Sequence, residues 1–116
     1  MLLFKQRFLP AIRAGRKTQT VRLWKHRRMR SGQQSYIPGA GHIDVEAVDE
    51  VRIEDLSDAD ALADGFASAA ELRATLRELY PAELAAGYQA YRVRFRLARK
   101  AARRAARPGK RPVQAG

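Results

Sequence analysis

The chain has 116 residues and 46% apolar content, enough for one domain around a single small core. It has no cysteine, which excludes disulfides, thiolate catalysis and zinc–thiolate sites, and its two histidines, His26 and His42, are too few for a metal centre. Net charge is +11, Met1 to Phe4 is cut short by Lys5 and Arg7 before a signal peptide can form, and no apolar run is long enough to span a membrane, so a soluble, cytoplasmic protein is expected.

Met1 to Lys5 reads as a short strand or an extended lead-in. Phe8 to Ala14 reads as a helix, with Pro10 tolerated in its first turn, Phe8, Leu9 and Ile12 on one side, and Gly15 as its stop. Thr20 to Leu23 is strand-like, and Lys25 to Gly32 is a basic connection ending in a Ser-Gly turn signal. Gln33 to Ile37 is a short strand closed by Pro38-Gly39. Ile43 to Ile53 alternates and then changes phase near Val48, which predicts a bulge within a long antiparallel strand. Ser57 caps a short helix over Asp58 to Ala63, stopped by Gly65. Ser68-x-x-Glu71 is a capping box before Leu72, Leu76 and Leu79, on a helix ended by Pro81. Tyr88 to Leu97 sets Ala90, Arg92, Arg94 and Arg96 on one face, with Tyr91, Val93, Phe95 and Leu97 on the other: a half-buried strand with a basic outer face. Strands with short helical insertions and no βαβ rhythm predict an antiparallel barrel. Residues 98–116 shift to Ala, Arg, Lys and Pro without an apolar stripe, as a flexible basic tail would.

The charge is segregated. Residues 1–43 and 84–116 carry ten Lys/Arg each and no acid, whereas all 12 acids lie between Asp44 and Glu83. If the first and last strands are neighbours, the two basic segments merge into one face that attracts phosphates.

Between the first helix and the first strand stands Gly15-Arg16-Lys17-Thr18-Gln19-Thr20-Val21-Arg22. A hydroxyl becomes a nucleophile when a base takes its proton, and an amine of lowered pKa can be that base. On a strand, positions 17 and 20 face opposite ways; on a turn, residues three apart share a side. A junction between helix and strand can therefore bring Lys17 and Thr20 to one site.

This string, together with Phe4-Lys5-Gln6-Arg7-Phe8, Leu56-Ser57-Asp58, Asp64-Gly65-Phe66 and the run from Glu71-Leu72 to Leu79-Tyr80-Pro81, resembles the ASCH domains. The final strand continues the likeness, which covers residues 1–97 and leaves 98–116 as a tail. The resemblance implies an α+β fold, a small PUA-like antiparallel β-barrel with short flanking helices. Within the superfamily the string is most similar to small bacterial N4-acetylcytidine amidohydrolases. That likeness implies Lys17 as general base, Thr20 as nucleophile and Asp64 as the acid; those enzymes carry a glutamate where this chain has Asp64. Glu46 and Glu71 are alternative carboxylates. Arg22, Trp24 and Phe4 are expected to bind substrate, Trp24 by stacking a base. The expected partner is an acylated cytidine nucleoside or nucleotide, with RNA on the basic face and tail, no membrane, no metal, no cofactor, and a monomer or weak dimer. An RNA-binding module without a covalent step, or a ribonuclease, is the alternative.

Overall fold

In the computed structural model, which describes residues 1–98, four antiparallel strands form one sheet. They are β1 (Gln19–Trp24), β2 (Gln34–Ile37), β3 (Gly41–Val51) and β4 (Gln89–Leu97), in the order β1-β4-β3-β2. Hydrogen bonding runs from β1 through β4 and β3 to β2, so the fold is α+β around an antiparallel sheet, as expected. β1 pairs with β4 over its whole length, from Gln19 opposite Arg94 to Trp24 opposite Gln89. The first and last strands are thus neighbours, as the charge argument required.

The phase change in β3 falls two residues earlier than its sequence pattern places it. Val45 faces Phe95 and Ala47 faces Arg94, so Glu46 is the extra residue of a bulge. Before it Ile43 and Val45 are buried, and after it Val48 is, because one unpaired residue resets a period-two alternation. The tail from residue 99 onward lies outside the described residues.

The sheet is covered on both faces. On one, Ile12, Ile37, Ile43, Val45, Val93 and Phe95 close a core with Leu2, which is tied in by its amide to the Tyr36 carbonyl at 2.9 Å. On the other, Val21, Leu23 and Ala90 meet Ala61, Leu72 and Leu76. These last three come from α2 (Asp58–Ala63) and α3 (Ala69–Leu79). Each fully buried aliphatic or aromatic side chain contributes about 1.5–3 kcal/mol, so the two clusters hold the sheet between them.

Caps fix the helix limits. Ser57 accepts from the Asp60 amide at 3.1 Å while Asp60 accepts from the Ser57 amide at 3.0 Å, a reciprocal capping box that contributes about 1 kcal/mol. Ser68 accepts from the Glu71 amide, but Glu71 reaches back one residue further than expected, to the Ala67 amide at 2.8 Å. Pro81 does end α3, and it also opens an unforeseen helix, α4 (Pro81–Ala85), as its first residue. A proline at that position loses no hydrogen bond.

Candidate active site

Two short helices deliver the two ends of the site by the same device. α1 (Leu9–Arg13) ends with the Gly15 amide on the Ile12 carbonyl and the Arg16 amide on the Ala11 carbonyl. α2 ends with the Gly65 amide on Leu62 and the Phe66 amide on Ala61. These are Schellman turns, and both glycines sit at positive φ, +79° and +90°, where a side chain is strained. The first turn sends the chain back toward α2, where the Thr18 amide meets the Ala63 carbonyl at 2.8 Å. Lys17 thereby lies before the strand begins, so strand alternation does not separate it from Thr20.

Lys17 and Asp64, 47 residues apart in sequence, form a buried ion pair with 3% of each residue exposed. Lys17 Nζ donates to Asp64 Oδ1 and also to the Asp64 backbone carbonyl at 2.6 Å. Three rings stand around the amine, with centroids 5.0 Å (Phe8), 5.6 Å (Phe4) and 5.7 Å (Phe66) from Nζ. That is cation–π range. Asp64 Oδ2 is buried without a hydrogen-bond partner among the described residues. Burial pushes Lys17 below its ordinary value against the opposing pull of Asp64, and the nearby Arg22 charge lowers it further. Burial likewise raises Asp64 against the lowering effect of Lys17. Both partners are driven toward their neutral forms.

Thr20, 6% exposed, accepts from Arg22 Nε at 3.0 Å, which leaves its own hydroxyl proton free to donate elsewhere. Arg22 also donates Nη2 to the Leu3 carbonyl at 2.5 Å and lies 4.6 Å from the Phe4 ring centroid. Lys17, Thr20, Arg22 and Asp64 all line one cavity of about 200 Å³. Phe4, Phe8, Phe66, Leu72, Leu76 and Tyr80 also line it.

No protein-family model matches the sequence, and no curated protein matches it. Solved structures do. A crystal structure of an ASCH domain from Lactobacillus crispatus JV V101 superposes with a TM-score of 0.64 at 16% identity, covering 76% of this chain and 68% of that one. The chain has the ASCH fold. The hypothetical protein PH0355 superposes at TM-score 0.68 and 19% identity, over 81% of this chain and 94% of its own. Protein EF3133 from Enterococcus faecalis V583, described under the family model DUF984, gives 0.60 at 21% identity, over 79% and 70%.

Within this ASCH fold, four of the expected site residues and Phe4 meet in one cavity, and Trp24 does not. Trp24 sits at the far end of β1, packed on Tyr91 with ring centroids 5.4 Å apart against the first core, so its stacking partner is a core residue. The alternative carboxylates are also elsewhere: Glu46 lies 3.6 Å from Arg96, and Glu71 caps Ala67. Burial and Arg22 are the causes that lower Lys17. Phe8, Phe66 and Tyr80 belong to the site without having been singled out as binding residues, although Phe66 directly follows the Asp64-Gly65 turn. No group of three His, Cys, Asp or Glu suited to a metal occurs among the described residues, and no helix there is long and apolar enough to cross a membrane.

The basic outer face of β4 is largely answered by acids. Arg92 contacts Asp60 at 3.0 Å and Asp49 at 3.3 Å, Arg94 lies 3.9 Å from Asp60, and Arg96 is 3.6 Å from Glu46. The merged basic face expected from the sequence is therefore not made of β4.

The shifts of Lys17 and Asp64 carry a pH signature. Between 3.8 and the raised value of Asp64 the folded chain holds more protons than the unfolded one, so this residue makes stability fall as pH rises. Between the lowered value of Lys17 and 10.5 the unfolded chain holds more, so stability rises with pH. Relative to the double variant Lys17→Met/Asp64→Leu, the parent is expected to lose stability through the first window and regain it through the second. Urea unfolding across the pH range reads this, and parallel curves would show that the pair titrates as it does in the unfolded chain.

Proposed function

We propose that the protein is an amidohydrolase that removes the acyl group from N4 of an acylated cytidine, N4-acetylcytidine giving cytidine and acetate. The observation that carries this reading is the buried Lys17–Asp64 pair sharing one aromatic-walled cavity with the Thr20 hydroxyl. A neutral amine has two N–H groups and one lone pair. Lys17 Nζ has two acceptors on Asp64, so in that state its lone pair remains for the hydroxyl proton.

The cycle starts with Lys17 as amine and Asp64 as acid. Lys17 takes the Thr20 proton, Oγ1 attacks the acyl carbon, and the bond from that carbon to N4 breaks as Asp64 gives N4 its proton. Cytidine leaves, Thr20 carries the acyl ester, and the pair is now ammonium and carboxylate. Water then attacks the ester, Asp64 takes its proton, Lys17 returns a proton to Oγ1, and the carboxylic acid departs. Arg22, on Thr20 Oγ1, supplies the positive charge facing the tetrahedral oxygen. Incubating the purified protein with N4-acetylcytidine and following its ultraviolet spectrum tests the reading: conversion to cytidine supports it, and an unchanged spectrum at high enzyme concentration rejects it.

A second reading, RNA contact without chemistry, is favoured by one observation. The connection from Lys25 to Arg30 presents Lys25, Arg28 and Arg30 at the surface, with no acid within ion-pair distance among the described residues. The segment is pinned beneath by Met29, 6% exposed, and by Arg27 on the Val48 carbonyl at 3.0 Å. Phosphate binding there predicts a linear fall of log K for single-stranded RNA with log salt. Replacing Lys25, Arg28 and Arg30 with Gln should reduce that slope by about 2, whereas Arg94→Gln, already answered by Asp60, should leave it unchanged. A parent that binds RNA with no salt dependence would discard the idea.

A further inference from the structure

Asp60 is the buried acid that the chemistry above does not use. It is 8% exposed, and its carboxylate is saturated: Oδ2 accepts from the Ser57 amide at 3.0 Å and the Ser57 hydroxyl at 3.1 Å, and Oδ1 from Arg92 Nη1 at 3.0 Å. Arg94 adds a second guanidinium at 3.9 Å. Its backbone carbonyl is equally engaged, accepting from Gln19 Nε2 at 3.2 Å and from the Asp64 amide at 3.0 Å. One residue therefore ties the start of α2 to β4, its middle to β1, and its own carbonyl to the backbone of the acid in the cavity.

We propose that Asp60, together with Arg92, is the positioning residue of the site: it fixes the short helix whose last turn presents Asp64 to Lys17. The helix spans only Asp58–Ala63, too short to hold its own end, so its placement must come from outside. Ala61 seats it on the second core, but an apolar contact permits sliding that a charged hydrogen bond from Asp60 to Arg92, with Ser57 on the other carboxylate oxygen, does not. Arg92 is itself held by Asp49 of β3 at 3.3 Å, which makes the anchor a three-element bridge from β3 through β4 to α2. Asp60 is one helical turn before Asp64, so a shift of the first moves the second. The charges facing the clamp are Arg92 and Arg94 from β4, with Glu46 of β3 on the rim of the same cleft. The charge facing the Lys17–Asp64 pair is Arg22 from β1, with Tyr80 beside it.

As a role in catalysis this rests on the hydrolase reading, but its test does not. The carboxyl carbon of Asp64 and the ε-carbon of Lys17 can be titrated by NMR without substrate in the full chain. Asp60→Asn weakens the clamp while nearly keeping side-chain size. It is expected to let the pair loosen and hydrate, so that both residues titrate closer to their ordinary values by about one pH unit. Asp58→Ala is the control on the same helix, since it removes the cap on the Ala69 amide at 2.8 Å without touching Asp60. It should lower the melting temperature and leave the titration in place. If Asp60→Asn does not fold, Arg92→Lys, which keeps the charge and loses the fork, takes its place, with a shift in the same direction. A folded clamp variant with unchanged titration, or an Asp58→Ala shift as large, overturns the proposal. Failure of the parent to hydrolyse N4-acetylcytidine would remove the reaction and leave the titration result standing.

Discussion

Thr20→Ala is expected to lower kcat/KM for N4-acetylcytidine by a factor on the order of 10³ or more, with the fold intact. The argument starts from what the hydroxyl does in the resting protein. Its oxygen accepts one hydrogen bond, from Arg22, and its loss leaves a solvated or ring-facing guanidinium, a change of about 1 kcal/mol in stability. Its chemical loss is total, because no other hydroxyl with a base beside it is part of the proposed cycle. Thr20→Ser restores a hydroxyl at the same backbone position and should recover activity to within about tenfold, a difference of roughly 1.4 kcal/mol in the barrier. Steady-state kinetics with circular dichroism on each variant read both quantities. Full activity in Thr20→Ala would remove the acyl ester from the mechanism and leave Lys17 and Asp64 acting on water.

The second large effect is on stability, and it is present in the single variant and recovered in the double. Removing one partner of a buried ion pair leaves the other desolvated, at a cost of about 3–5 kcal/mol. Asp64→Leu should do this, because Lys17 keeps its burial and loses both the carboxylate and the geometry that placed the carbonyl. Adding Lys17→Met removes the stranded polar amine and puts a flexible apolar chain among Phe4, Phe8 and Phe66. The double variant should return to within about 1 kcal/mol of the parent or exceed it, since apolar replacement of a buried pair is often neutral or stabilising. It should also be inactive. A stable, inactive double variant beside an unstable single one separates function from folding, and equal stability in all three would show that the pair is hydrated in solution.

Much of this arrangement is readable locally, because it depends on short-range rules. Gly15 after an apolar turn, Ser57 three residues before Asp60, and the alternation of Tyr91, Val93 and Phe95 each act within one element, and each forms the element its pattern predicts. Pro81 misleads because the residue that closes one helix is also suited to open another. Trp24 misleads because an aromatic next to a basic run looks the same in sequence whether it faces a ligand or Tyr91. The charge pattern misleads for a longer-range reason: Arg92, Arg94 and Arg96 look unpaired along the chain, yet their acids arrive from β3 and α2. Asp64 belongs to the same long-range class. Only the family resemblance pointed to it, since nothing within 47 residues of sequence separation brings it to Lys17.

The enclosure of Lys17 gives the molecule an internal gauge of its own integrity. Lys5 and Lys25 stand at the surface, open at all times to any amine-directed reagent. Lys17 is shielded by residues drawn from four separate stretches of chain: Phe4 and Phe8, the Gly15 turn, the Asp64-Gly65-Phe66 turn, and β1. In the folded domain it is only 3% exposed, and its full exposure requires those stretches to part. The group assigned the proton transfer is thus also the group whose concealment reports that the domain is closed.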